Sequence, residues 1–275
     1  MPSRIAIIAG AGRFPFYVAQ EAKRQGTAVI VLGIQGWADP SLTGEVDAYE
    51  EIAVGQLGRL IERLKSHDVH QAIMAGKVTK EVLFDQRTTF DAEALGILGQ
   101  TKDFSVASLL GVIAKRLARD GITLLDSSTF LQPNLCPRGV LTSRGPTDAE
   151  QEDIRVGLHA ARTLAALDIG QTVVVKSGVV VAVEALEGTD AAIRRAHALA
   201  SGGLVVVKTA SPHQDRRFDL PIIGSETLAT AREAGVSCLA VEAGTTLLLE
   251  REALLASANS GGICLIGVAV PSSHS

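Results

Sequence analysis

The chain reads as an α/β protein in two domains, and three observations predict it. Apolar runs of strand length alternate with helical patterns through most of the sequence. That alternation is interrupted once, by a stretch rich in proline and glycine. The 275 residues also exceed what one ordinary domain of about 100–200 residues needs.

Taken in order, "RIAIIAG" reads as a buried strand, "FPFYVAQEAKRQG" as a helix closed by Gly26, and "AVIVLG" as a second buried strand. "QLGRLIERLKSHD" is again helical, "VHQAIMAG" is a strand, and "FSVASLLGVIAKRLARDG" is a long helix ending at Gly121 before the strand "ITLLDS". Strands separated by helices form parallel sheets with helices on both faces, so residues 1–130 are expected to make a Rossmann-like domain. Residues 131–146 hold Pro133, Pro137 and Pro146 with Gly139 and Gly145, and are expected to be a linker.

A C-terminal α/β domain, residues 147–275, follows. Thr147 and Glu150 stand in capping-box spacing at the head of "AEQEDIRVGLHAARTLAALD". In "TVVVKSGVVVAVEAL" the Lys176-Ser177-Gly178 centre suits a hairpin. "AAIRRAHALAS", "LVVVKTA", "ETLATAREAG", "SCLAVEAG", "TTLLLE", "REALLASANS" and "GICLIGVAV" continue the alternation.

Composition excludes several classes. With 47% hydrophobic and 20% charged residues the chain can bury a core. A formal net charge of −4, without runs of Lys and Arg among aromatics, gives no footprint for nucleic acid. Three widely spaced cysteines fit reduced thiols in a cytoplasmic protein better than disulfides or a zinc cage. The apolar run in "MPSRIAIIAGAG" is too short for a secretory signal, and no segment approaches the roughly 18 apolar residues of a membrane span.

The loop "GAGRFP" could let a phosphate approach the backbone at a helix N-terminus, or could be a tight turn whose Gly10 and Gly12 allow close packing. It is not a dinucleotide fingerprint: Pro15 replaces the third glycine, and Asp39 lies too far along to meet a ribose. The histidines His67, His70, His159, His197 and His213 lack a partner at metal-ligand spacing, and no serine or cysteine sits in a nucleophile motif.

What remains are two polar stretches that each follow an apolar strand, "VEALEGTDAAIRRA" and "KTASPHQDRRFDLPIIG". Both are expected at the C-terminal edge of one sheet, where open α/β folds bind ligands. Glu184, Glu187, Asp190, Asp215 and Asp219 offer oxygens to Mg²⁺; Arg194, Arg195, Arg216, Arg217 and Lys208 offer donors to phosphate. They could equally be solvated loop charges, with Thr189 or Asp190 capping a helix. Pro221 stiffens the loop behind Asp219, which suits a positioned carboxylate.

With "IAGAGRFP" and "MAGKV", these stretches resemble the metal-dependent UDP-2,3-diacylglucosamine pyrophosphatases of lipid A biosynthesis, of the two-domain rather than the calcineurin-like type. The resemblance runs from about Ile5 to Val268 and rests most on EGTD and DLPxIG. It implies Mg²⁺-assisted hydrolysis by water to UMP and 2,3-diacylglucosamine 1-phosphate in a cleft between the domains, with Mn²⁺ as a substitute ion. Asp219 matches the family's essential aspartate. Asp219, Arg216 and Lys208 are therefore read as catalytic; Gly10, Gly12, Thr189, Arg194 and Arg217 as substrate-binding; and Asp219, Asp190 and Glu187 as metal ligands. The acylated substrate implies transient contact with the cytoplasmic leaflet, as a peripheral protein on the inner membrane, and the sequence leaves room for a homo-oligomer. The rival readings are a dinucleotide-dependent oxidoreductase and a non-catalytic nucleotide-binding protein.

Overall fold

A computed structural model describes residues 3–78, 88–99, 106–212 and 214–269; His213 and the first residues of "FSVASLLG" lie outside the described residues. The chain divides into two units, one formed by Met1–Gln132 with Asp215–Asp219, the other by Pro133–Gln214 with Leu220–Ser275.

In the first unit the elements run β1 (Arg4–Ala9), α1 (Phe14–Arg24), β2 (Ala28–Ile34), β3 (Ala48–Ile52), α2 (Leu57–Ser66), β4 (Gln71–Ala75), α3 (Ala92–Leu98), α4 (Val106–Arg119) and β5 (Thr123–Leu124). The strands pair in parallel in the order β3-β2-β1-β4-β5, with Ile7 opposite Val31 and Ile73. Strand order reverses between β1 and β4, the Rossmann-like arrangement expected. Side chains alternate across a strand, so Ala6, Ile8, Ile30 and Leu32 join a core with Leu60, Leu64 and Leu117 from the helices on one face. Ile5, Ile7, Val29 and Val31 are equally buried and point the other way, to the face that α1 covers with Phe16, Val18 and Ala19. The edge strand β3 is half-exposed and carries Glu50 and Glu51, which hid it from a search for apolar runs.

The second unit runs β6 (Gly139–Val140), α5 (Asp148–Ala166), β7 (Thr172–Lys176), β8 (Val179–Val183), α6 (Thr189–Leu199), β9 (Leu204–Lys208), β10 (Ile222–Ile223), α7 (Ser225–Glu233), β11 (Val236–Glu242), β12 (Leu247–Leu248), α8 (Arg251–Ser260) and β13 (Cys264–Val268). Its six-stranded sheet has the order β6-β13-β11-β9-β7-β8, and β10 pairs with β12 apart from it. β9, β11 and β13 are parallel; β7 is antiparallel to both β8 and β9. One face packs under α5 through Ile154, Val173, Val205 and Val207, and the other under α6, α7 and α8 through Ile193, Val206, Leu228 and Leu254. The capping box at Thr147 and Glu150 forms, as does the hairpin, whose Ser177 and Gly178 both take positive φ and donate their N–H groups to Asp153 at 3.0 and 2.5 Å.

Most of the stretch expected to be a linker belongs to this second unit. Cys136 N–H donates to Thr246 O at 2.8 Å, β6 adds antiparallel to β13, and Arg144 holds Glu150 through both its terminal nitrogens at 2.9 and 2.8 Å. Prolines keep the stretch irregular, but they do not stop the residues between them from bonding to a sheet edge. Among the described residues no helix is long and apolar enough to cross a membrane.

Candidate active site

In the second unit β8 and β9 run the same way on either side of the antiparallel β7, so the loops after Val183 and Lys208 leave one sheet edge. β7 begins at that edge, and the register sets Thr172 opposite Lys208. Lys208 is 7% exposed, which an ammonium tolerates only with partners. Its Nζ donates to Thr172 Oγ1 at 3.2 Å and to Thr189 Oγ1 at 2.9 Å, and Glu184 Oε2 lies 3.8 Å away. Thr189 in turn donates to Glu184 Oε1 at 2.8 Å.

Helix α6 opens at this cluster. Its N-cap, Gly188, sits at φ 85° and offers no side chain, so the first-turn N–H groups are not capped from that residue. Asp190, in this first turn, has a buried Oδ1 without a hydrogen-bond partner among the described residues, and the same holds for Thr209 Oγ1 next to Lys208. Backbone bonds fix the surroundings: Thr209 N–H donates to Gln171 O at 2.9 Å and Ala210 N–H to Glu242 Oε2 at 2.9 Å. Glu187 is paired with Arg195 at 2.6 Å, and hydrogen bonds from its own backbone N–H and then from Arg195 hold its carboxyl below the usual range. Arg194 is directed along α6 to Thr230 of α7, at 3.0 Å.

Asp215–Asp219 packs with the first unit, although the sequence placed it on the same edge as Lys208. Arg216 and Arg217 are tied to the serines after β5: Ser127 N–H donates to Arg216 O at 3.0 Å, Ser127 Oγ donates to Arg217 O at 3.0 Å, and the Arg216 guanidinium donates to Ser128 Oγ at 2.9 Å. Arg216 also pairs with Asp126 at 2.8 Å. Asp215 grips Arg217 at 2.6 Å, which lowers the Asp215 carboxyl, and the Arg217 guanidinium lies 4.9 Å from the Phe218 ring. Phe218 packs on the core of the first unit, and the next residue, Asp219, is exposed.

At the carboxyl edge of the first sheet the two glycine loops meet. Gly10 N–H donates to Ala75 O at 2.8 Å, and Ala11 and Lys77 exchange backbone bonds at 2.9 Å in both directions. A Cβ on Gly10 would sit 2.6 Å from Lys77 O, so this position needs a glycine for packing. Gly12, at φ 94°, is exposed beyond the contact.

The carboxylates suit a magnesium ion only in part. Among the described residues no group of three or more His, Cys, Asp or Glu stands where it could hold a metal. Asp190 fits, since Mg²⁺ takes one or two carboxylates and fills its shell with water and phosphate oxygens; Glu187 has an arginine instead. Sequence reading missed Thr172, Asp126, Ser127 and Ser128. Thr172 could have been found from the hairpin, which sets the start of β7 against the end of β9; "LLDSST" carries no comparable signal.

Comparison with known proteins adds two findings. Residues 4–133 match the model of the LpxI N-terminal domain, and residues 137–266 that of the LpxI C-terminal domain. A protein of Caulobacter vibrioides named UDP-2,3-diacylglucosamine pyrophosphatase LpxI is 31% identical over 277 residues, spanning 96% of this chain and 97% of its own. The structure of glycinamide-RNase-transformylase T from Mycobacterium tuberculosis aligns with 66% of this chain and 44% of its own at 16% identity and a TM-score of 0.26, too slight a likeness to bear on fold or activity.

Proposed function

Because the chain belongs to the LpxI family and is a UDP-2,3-diacylglucosamine pyrophosphatase, we propose that the buried ammonium of Lys208 binds the substrate's pyrophosphate oxygens. The enzyme hydrolyses a phosphoric anhydride in lipid A biosynthesis, releasing UMP and 2,3-diacylglucosamine 1-phosphate. Turnover separates it from a non-catalytic nucleotide-binding protein, and nothing in the chemistry calls for a dinucleotide.

The observation that carries the reading is Lys208 itself. Two of its three hydrogens go to threonines, and among the described residues the third meets no hydrogen-bond acceptor. A positive group held rigidly out of water stabilises charge on a phosphoryl group more than a mobile surface lysine does. The backbone N–H groups in the first turn of α6, that of Thr189 among them, add donors beside it. Arg216 and Arg217, each oriented by a carboxylate, and Arg194 are assigned to further phosphate oxygens, while Gly10 and Gly12 are read as backbone contacts to substrate. Asp219 orients the attacking water or ligates the metal. Support for that role is its position behind a segment stapled by Ser127 and Ser128, which keeps an exposed carboxylate in place. Mg²⁺, when bound, would neutralise pyrophosphate charge; Asp190 and Asp219 are the carboxylates proposed to hold it, Glu187 would do so only on releasing Arg195, and Mn²⁺ would serve in its place.

Contact with the cytoplasmic leaflet follows from the substrate's two acyl chains. It is supported by Leu186, 94% exposed in the loop before α6, and by exposed Leu167 and Ile169 in the loop before β7. These loops adjoin, because Gly170 lies against the Glu184 carbonyl. The assay that tests the function is UMP release from UDP-2,3-diacylglucosamine. Activity is expected to vanish in EDTA, return with Mg²⁺ or Mn²⁺, and fall about 100-fold in Lys208→Met. Full activity in Lys208→Met would remove Lys208 from the mechanism.

A further inference from the structure

Glu184 stands among the acids that could hold a metal, yet its surroundings direct it elsewhere. Its side chain is 13% exposed beside Lys208 at 9%. The hydrogens between them can be counted. Thr189 has one hydroxyl hydrogen, and that is donated to Glu184 at 2.8 Å, so its oxygen is left to accept from Lys208 at 2.9 Å. Thr172 Oγ1 accepts from Lys208 at 3.2 Å, and its own hydrogen is then free for Thr189 Oγ1 at 3.3 Å. The hydrogens shared within the cluster therefore run from the ammonium towards one carboxylate. Gln171 N–H approaches Glu184 Oε2 at 3.4 Å, and a Cβ on Gly170 would sit 2.0 Å from the Glu184 carbonyl oxygen, so the backbone around the acid is closely packed as well.

We propose that Glu184 is a positioning residue: through Thr189 and Thr172 it fixes the direction and the charge of Lys208, leaving one ammonium N–H for a pyrophosphate oxygen. The carboxylate does not take that hydrogen, because at 3.8 Å it balances the charge from beyond hydrogen-bond reach. A buried ammonium without a counter-charge is costly, and a neutral amide in place of Glu184 removes that charge and introduces donors the cluster has no acceptor for. The proposal rests on the reading of Lys208 as the group that meets the phosphate.

The test is a mutant cycle of Glu184→Gln, Lys208→Met and the double variant, with kcat and KM measured by UMP release and folding checked by circular dichroism. Glu184→Gln is expected to lower kcat by about tenfold or more with KM changed less than about threefold, and to add nothing to the loss in Lys208→Met. Losses that multiply in the double variant, or a wild-type kcat in Glu184→Gln, would overturn the role of Glu184. Full activity of Lys208→Met would instead overturn the underlying reading. Should Glu184→Gln fail to fold, Thr189→Val carries the same cycle: it cuts the hydroxyl link and keeps both charges, and it is expected to be equally non-additive with Lys208→Met, with multiplying losses overturning the role as before.

Discussion

Asp219 differs from its neighbours in its exposure to solvent. Asp215 grips Arg217 and Arg216 pairs with Asp126, whereas Asp219 is exposed at the end of the segment they anchor. Asp219→Ala is expected to stay folded while lowering kcat on the order of 100-fold, since an oriented carboxylate acts on the chemical step. Steady-state kinetics beside a thermal melt decides it, and an unfolded variant or an unchanged kcat would make the residue a turn former. The sequence already marked Lys208, which stands where an apolar run gives way to charge, and Asp219, which stands before the stiffening Pro221. It could not mark the partners of Arg216, which lie far away in the chain.

Among the elements, the stretch from Cys136 to Thr147 shows how an irregular segment becomes part of a sheet. Arg144 bonds the carbonyls of Gly262 and Ser237 as well as Glu150, tying the start of α5 to strands at the other end of the sequence. The Arg144 guanidinium and then the Thr147 N–H hold the Glu150 carboxyl at about 2, from an ordinary 4.5. A depressed carboxylate stabilises the fold above its unfolded pKa and loses that contribution as pH falls through the folded value. The gap in melting temperature between wild type and Arg144→Ala is thus expected to be widest near neutral pH and to narrow from about pH 4.5 towards about pH 2; the Gly262 and Ser237 bonds keep it from closing. A gap constant across that range would place the whole effect in those neutral bonds. The capping box and hairpin were legible because their residues are close in sequence. β3 was not, because an edge strand half in water needs no apolar run.

At the scale of the molecule, both α/β units were legible from alternation, but their composition was not, since which segment packs with which core is decided by contacts remote in sequence. The apolar loops beside Lys208 carry a prediction of their own. Leu186→Asp with Ile169→Asp is expected to reduce sedimentation with phospholipid vesicles several-fold and to raise KM for the diacylated substrate, with the fold intact; unchanged sedimentation would take these loops out of membrane contact. A further consequence lies in the path of the backbone. It leaves the first unit after Gln132 and comes back for Asp215–Asp219 alone. As the chain emerges from a ribosome, all five strands of the first sheet appear well before Arg216 can reach Asp126 or Phe218 its core. The N-terminal body is finished only when much of the second has been synthesised, and no single cut in the gene yields both bodies whole.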